Sequence, residues 1–121
     1  MVAMRILGLT FAGTATPERT QMVAFLRDTL SLPSAAVDGV EADLFALPDG
    51  SNFAVAWPEG MGDTPRSIGF LVDDLDAAAA VLSDAGVSVG PIGENARDRY
   101  LHFRAPDHQL YELVQRKDAA G

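Results

Sequence analysis

The sequence contains no cysteine, which excludes disulfides, thiolate metal sites and cysteine nucleophiles. Basic residues are scarce: nine Lys and Arg against seventeen Asp and Glu leave a formal charge of −8. So acidic a chain is a poor match for nucleic acid. The same balance suits a cationic ligand, but it reads first as a solvated surface. No apolar run approaches the length that crosses a bilayer. The N-terminus offers only the short stretch Ile6 to Ala12, without the cleavage pattern of a secretory signal. The expectation is a soluble, cytoplasmic protein with no membrane partner. No phosphate loop is present, since Gly60 and Gly62 follow no strand–helix pattern, and no serine sits at a nucleophile elbow.

What the chain does have is an internal repeat. Asp43 to Trp57 aligns without a gap on Leu101 to Gln115, setting Phe45 on Phe103, Pro48-Asp49 on Pro106-Asp107, Phe53 on Tyr111 and Val55 on Leu113. Each copy alternates apolar and polar residues on both sides of a Pro-Asp turn, the pattern of a β-hairpin. A strand and a helix precede each hairpin. In the first half, Thr16-Pro17-Glu18 supplies a hydroxyl cap, a first-turn proline and an acid, and Met22, Phe25, Leu26 and Leu30 give one apolar helix face. Pro33 ends that helix, and a weak strand is expected near Ala36 to Val40.

In the second half, a strand from Ser67 to Val72 leads to a helix capped by Asp73 or Asp74, with Leu75, Ala78, Ala79 and Leu82 facing inward and Gly86 closing it. Val87 to Val89 reads as a short strand and Pro91 to Asp98 as a polar loop. The 121 residues thus read as one domain of two βαβββ modules, about 5–57 and 66–116, joined by a Pro/Gly-rich linker over 58–65. From Lys117 the chain reads as a frayed tail. Two similar halves packed together leave a cleft between them where a ligand belongs.

Alternation assigns the faces of the last hairpin. Leu101, Phe103, Tyr111 and Leu113 point toward the helix; Tyr100, His102, Arg104, Leu110, Glu112 and Val114 point the other way. In that register His102 lies across the ladder from Glu112. A carboxylate flanked by Leu110 and Val114 is partly desolvated, while a neighbouring histidine favours its charged form. Such a pair fits proton transfer or a share in a metal site, so Glu112 and His102 are the candidate catalytic residues. The plainer alternative is a structural ion pair, with Arg99, Arg104 or Arg116 facing Glu112. Phe11, Phe53 and Trp57 are candidate pocket walls, against the alternative that they are ordinary core.

Three stretches resemble the vicinal oxygen chelate superfamily of glyoxalases, bleomycin-resistance proteins and extradiol dioxygenases. Ser67-Ile-Gly-Phe-Leu-Val-Asp-Asp-Leu-Asp-Ala-Ala is similar to the family's fifth strand entering its second helix. Phe103-Arg-Ala-Pro-Asp-His-Gln-Leu-Tyr-Glu-Leu resembles its closing hairpin, and Ala24-Phe-Leu-Arg-Asp-Thr-Leu-Ser-Leu the end of its first helix. The resemblance implies an α+β fold, two βαβββ modules whose curved mixed sheets enclose one shared cavity, often in a homodimer. Metal-dependent members hold a divalent ion through one residue from each of four strands. Here those positions fall on Phe11 (or Thr10 after a register slip), Ala54, Ser67 and Glu112, so only Glu112 matches.

Two readings follow. In the first, the chain is a metal-free protein without a cofactor that sequesters an amphiphilic or aromatic small molecule, with Phe11, Phe53, Trp57, Ser67, Tyr100, His102 and Glu112 as the ligand-binding residues and no metal ligand set. In the second, it is a lyase, isomerase or dioxygenase that uses Glu112 and His102, with a divalent metal completed by substrate or a second subunit. A regulatory or dimerisation module with a vestigial pocket is a third, blander possibility.

Overall fold

In a computed structural model that describes residues 4–61 and 66–117, eight strands join one mixed sheet. Their order is β2-β3-β4-β1-β5-β8-β7-β6, with β1 (Ile6–Ala15), β2 (Ser34–Ala35), β3 (Asp43–Ala46), β4 (Asn52–Ala56), β5 (Arg66–Val72), β6 (Gly93–Glu94), β7 (Asp98–Arg104) and β8 (Leu110–Arg116). Strands β1 and β5 run antiparallel at the centre, and each is flanked by a parallel partner, β4 and β8 respectively. The sheet curls into a half-barrel, and the loops beyond its two edges meet where Ala96 N–H donates to the Asp38 carbonyl (2.9 Å).

Both helices pack on one face of this sheet. Alpha helix α2 (Leu75–Asp84) starts at Asp74, whose carboxylate accepts from Ala77 N–H (3.0 Å), while the Gln115 side chain accepts from Leu75 N–H (2.7 Å). It ends in a Schellman turn: Gly86 has φ +81°, its N–H reaches Ser83 O, and Val87 N–H reaches Leu82 O. Leu75 and Ala78 bury fully against Val72, Leu101 and Leu113. A second core gathers Leu26, Phe45 and Val55, with Met22, Val23, Leu32 and Phe53 around it.

The first helix departs from its sequence pattern. Thr16 Oγ1 accepts from Glu18 N–H (3.0 Å) and so caps a turn, and α1 begins only at Arg19 (Arg19–Ala24). It then widens into a π-helical turn (Phe25–Thr29), closed by Leu30 N–H to Phe25 O at 3.0 Å. The extra residue per turn breaks the 3.6-residue spacing that placed Phe25 and Leu30 on the buried face. Leu26 is buried, but Phe25 and Leu30 are 45% and 51% exposed.

The short strands also shift. The first-half strand forms at Ser34–Ala35, ahead of the expected Ala36 to Val40. Val87 to Val89 contributes a single bridge, Val89 to Phe103, while Gly93–Glu94, expected as loop, pairs with β7. Pro91 between them has no N–H to give a ladder. Lys117 is tied down by its N–H to Arg97 O (2.8 Å) and its ammonium to Glu94 (3.0 Å). Residues 62–65 of the expected linker and the tail beyond Lys117 lie outside the described residues.

The two Pro-Asp turns match, but the residue that follows them does not. Gly50, in the first hairpin turn, has φ +89°, and the aligned turn residue of the second hairpin is His108, at φ +67°. A side chain in this left-handed region is strained, whereas glycine adopts it freely. His108→Gly is therefore expected to stabilise the chain by about 0.5–1 kcal/mol, after allowing for glycine's greater unfolded entropy. Urea unfolding checks this; a variant that unfolds earlier contradicts it.

Candidate functional site

The face of the sheet opposite the helices lines a cavity of about 750 Å³. Its walls come from alternate residues of each strand: Asn52, Ala54 and Ala56 from β4, Leu110, Glu112 and Val114 from β8, Asp98, Tyr100 and His102 from β7, Ser67 from β5. A β-bulge between Leu9 and Phe11 turns both Thr10 and Phe11 toward it, so either register of the first strand reaches the cavity.

Five neighbouring strands place Asn52, Phe11, Gly69, Glu112 and His102 in one row across the floor. Gly69 leaves room there. A Cβ at that position meets Phe11 Cε1 at 2.4 Å and Thr10 Oγ1 at 2.7 Å, so the Phe11 ring lies directly over the glycine. Thr10 is buried and donates its hydroxyl to Gly69 O (3.2 Å).

His102 Nε2 stands 3.3 Å from Glu112 Oε1. The Glu112 side chain is only 14% exposed, between Leu110 and Val114 on its own strand. Burial pushes its carboxyl up to about 8, and the Asp98 carboxylate adds to the shift. Desolvation holds the His102 imidazole below its usual value. Distance alone reads as an ion pair, but both shifts favour the uncharged partners. We take the neutral form, because desolvation penalises each charge and Asp98 adds a like charge on the acid's side. Near pH 7 the balance therefore favours a protonated Glu112 carboxyl, 3.3 Å from His102 Nε2. Of the two opposing effects read from the sequence, desolvation of the carboxyl outweighs the neighbouring histidine.

The arginines face elsewhere. Arg116 Nη1 and Arg97 Nε hold the two oxygens of the buried Asp98 (2.7 and 3.1 Å), Arg99 reaches Asp76 (3.5 Å), and Arg104 Nη1 donates to His108 O (2.7 Å). At the mouth, Arg19 pairs with Asp43 (2.8 Å) and lies 5.5 Å over the ring of Trp57, which is 46% exposed. These pairs balance Asp98 and Arg19, while the carboxylates of Glu41 and Glu59 also line the cavity from outside the strands.

Of the residues read from sequence, Phe11, Trp57, Ser67, Tyr100, His102 and Glu112 all line this cavity. Phe53 does not. It pairs with Phe45 on the helix side and packs in the second core. Strand alternation puts Asn52 and Ala54 inward and Phe53 outward, and the repeat already sets Phe53 on the helix-facing Tyr111. Sequence reasoning passed over Asn52, Asp98 and Arg19. Counting by twos from Ala54 and Tyr100 reaches Asn52 and Asp98; nothing local marks Arg19.

The donors do not suit a divalent ion. The four strand positions carry Thr10 or Phe11, Ala54, Ser67 and Glu112, and among the described residues no three His, Asp or Glu side chains group to hold a metal. A catalytic site needs about three protein ligands. Glu112 must also lose its proton before it can bind an ion.

No protein-family model and no curated protein matches the chain by sequence. Solved structures match it throughout. Methylmalonyl-CoA epimerase from Mycobacterium tuberculosis superposes with a TM-score of 0.75 at 18% identity, covering 96% of this chain and 93% of that one. A single-substitution variant of Streptomyces coelicolor methylmalonyl-CoA epimerase, in complex with 2-nitronate-propionyl-CoA, gives 0.68 at 20% identity over 94% and 100%. A glyoxalase/bleomycin resistance protein/dioxygenase superfamily member from Vibrio splendidus 12B01 gives 0.63 at 13% identity over 94% and 99%. With its half-barrel of mixed strands, two helices on the outer face and a cavity on the inner one, this chain has the vicinal oxygen chelate fold.

Proposed function

We propose that this protein binds a small organic molecule in the half-barrel cavity and needs no metal ion to do so. The observation that carries the reading is Glu112: a buried acid between Leu110 and Val114, its carboxyl pushed up to about 8, with apolar Phe11 and Ala54 at positions where metal-dependent members of the family that the sequence resembles carry ligands. Burial against Phe11, Leu44, Ala54, Leu110 and Val114 supplies affinity, and Glu112, His102, Tyr100 and Ser67 orient the polar part. We read the working form as a cytoplasmic homodimer. Half-exposed Ile6, Leu7 and Leu9 support the second part, since they lie ahead of the first β1–β4 pair at Phe11 and offer apolar surface to another copy.

A second reading is favoured by the Glu112–His102 contact itself. A carboxyl pushed up to about 8 and 3.3 Å from an imidazole is poised for acid–base work near pH 7, so the bound molecule is turned over by proton transfer. The epimerases among the similar structures lend this reading support.

A thermal-shift screen of organic compounds beside divalent ions tests the proposal. An organic ligand at about a hundred times its Kd is expected to add about 2.7 kcal/mol of stability, with no requirement for metal. Stabilisation by a divalent ion alone, lost in Glu112→Ala, contradicts it. Hydrogen–deuterium exchange at a ligand carbon, abolished in Glu112→Gln, supports the enzyme reading over simple sequestration.

A further inference from the structure

The floor of the cavity specifies the class of molecule. Asn52 is 4% exposed, and its Oδ1 is a buried acceptor with no hydrogen-bond partner among the described residues. Leaving such an atom unmet is unfavourable, so buried acceptors are nearly always paired. The other end of its amide is held weakly, since Nδ2 reaches Phe45 O only at 3.5 Å. Little therefore restrains the amide from turning to meet a group inside the cavity. In register beside Asn52 lies Phe11, whose ring covers Gly69, and beyond Gly69 stands Glu112. Across three strand spacings, roughly 14 Å along the sheet and less across its curved inner face, the row runs amide, aromatic ring, carboxyl.

We propose that the cavity selects a flat, uncharged ligand that lies on the Phe11 ring, gives a hydrogen bond to Asn52 Oδ1 at one end and accepts one from Glu112 at the other. The inference rests on the small-molecule reading above and narrows it. An aromatic plate stacks on Phe11 with offset faces. A hydroxyl or amide N–H at its edge satisfies the orphaned oxygen, and a carbonyl or hydroxyl oxygen opposite receives the proton of Glu112. Along the row a cation finds no free carboxylate: Asp98 is held by Arg97 and Arg116, and the other carboxylates of the lining, Glu41 and Glu59, lie off the strands. An anion at the Glu112 end of the row meets the apolar side chains of Leu110 and Val114.

Three naphthalene probes of matched size separate the cases at neutral pH: the uncharged hydroxynaphthamide, the anionic hydroxynaphthoate and the cationic naphthamidine. Calorimetry is expected to show hydroxynaphthamide binding about tenfold or more tighter than either charged probe, and Asn52→Leu weakening it by about tenfold, as loss of one buried hydrogen bond predicts. Asn52→Asp, which keeps the acceptor and adds a charge, serves as the second variant should the leucine disturb folding; binding that weakens less than in the leucine variant supports the bond. Equal or tighter binding of a charged probe, or indifference to both substitutions, overturns the selection by the row while leaving small-molecule binding intact. If no probe binds, the inference falls, and the broader reading is judged by its own ligand screen.

Discussion

Replacing Glu112 by glutamine is expected to leave stability near that of the parent protein at about pH 5 and to raise it by several kcal/mol above about pH 8. The sign follows from the direction of the shift. Folding lifts the Glu112 carboxyl from the ordinary 4.5 to about 8, so the native state holds a proton that the unfolded chain releases. Over that window stability falls as pH rises, at up to about 1.4 kcal/mol per unit, and above it the full penalty of a buried charge is present. Glutamine keeps the shape and carries no charge beside His102. His102 acts in the opposite sense. Its folded value lies below 6.5, so its contribution is complete above that pH and is lost as pH falls. Both proteins share that acid limb, and only the parent has the alkaline one. Asp98, Tyr100 and Ser67 also line this wall and are unchanged between the two. Urea unfolding of both proteins at about pH 5, 7 and 9 gives the comparison. Parallel curves contradict the account.

Gly69→Val should produce an effect of comparable size and opposite sign, a loss of about 3 kcal/mol, at a position where most strands tolerate or prefer valine. The first added carbon falls 2.4 Å from Phe11 Cε1 and 2.7 Å from Thr10 Oγ1, and the branch carbons extend the overlap. Phe11 must leave the floor, or the β1–β5 pairing must open. The mechanism is checked by a double substitution. Removing the ring in Phe11→Ala makes the room that valine needs, so Gly69→Val with Phe11→Ala is expected to be more stable than the sum of the single losses allows. Strict additivity, read by thermal unfolding, rules out the steric explanation. Ligand binding is lost in either case, since the aromatic floor is gone.

How much of this was legible beforehand depends on the period of each element. Strand alternation is a strict two, and it assigned the inner face of the last hairpin residue by residue, including the His102–Glu112 register. The helix period is less robust. One π turn displaced Phe25 and Leu30 from the face that 3.6-residue spacing gave them. Phe53 went astray because aromatic character was weighed above alternation, although Asn52 and Ala54 on either side already fixed its direction.

The state of Glu112 is a different matter. Its partner across the ladder was readable, but the pull of Asp98, fourteen residues away, and the depth of burial arise from the curl of the whole sheet. No local pattern encodes that. The orphaned oxygen of Asn52 is equally invisible in sequence, because it depends on what the fold fails to place beside it. The glycine at 69 stood in plain view within a strand, and a strand glycine is a standing sign that something approaches closely. Here it is the Phe11 ring.

The most direct test follows the carboxyl carbon of Glu112 by NMR through a pH titration, with and without excess zinc. The expected result is a midpoint near 8 that zinc leaves in place. A midpoint near the ordinary 4.5, or one that zinc drives sharply downward, contradicts a neutral, metal-free acid at this position.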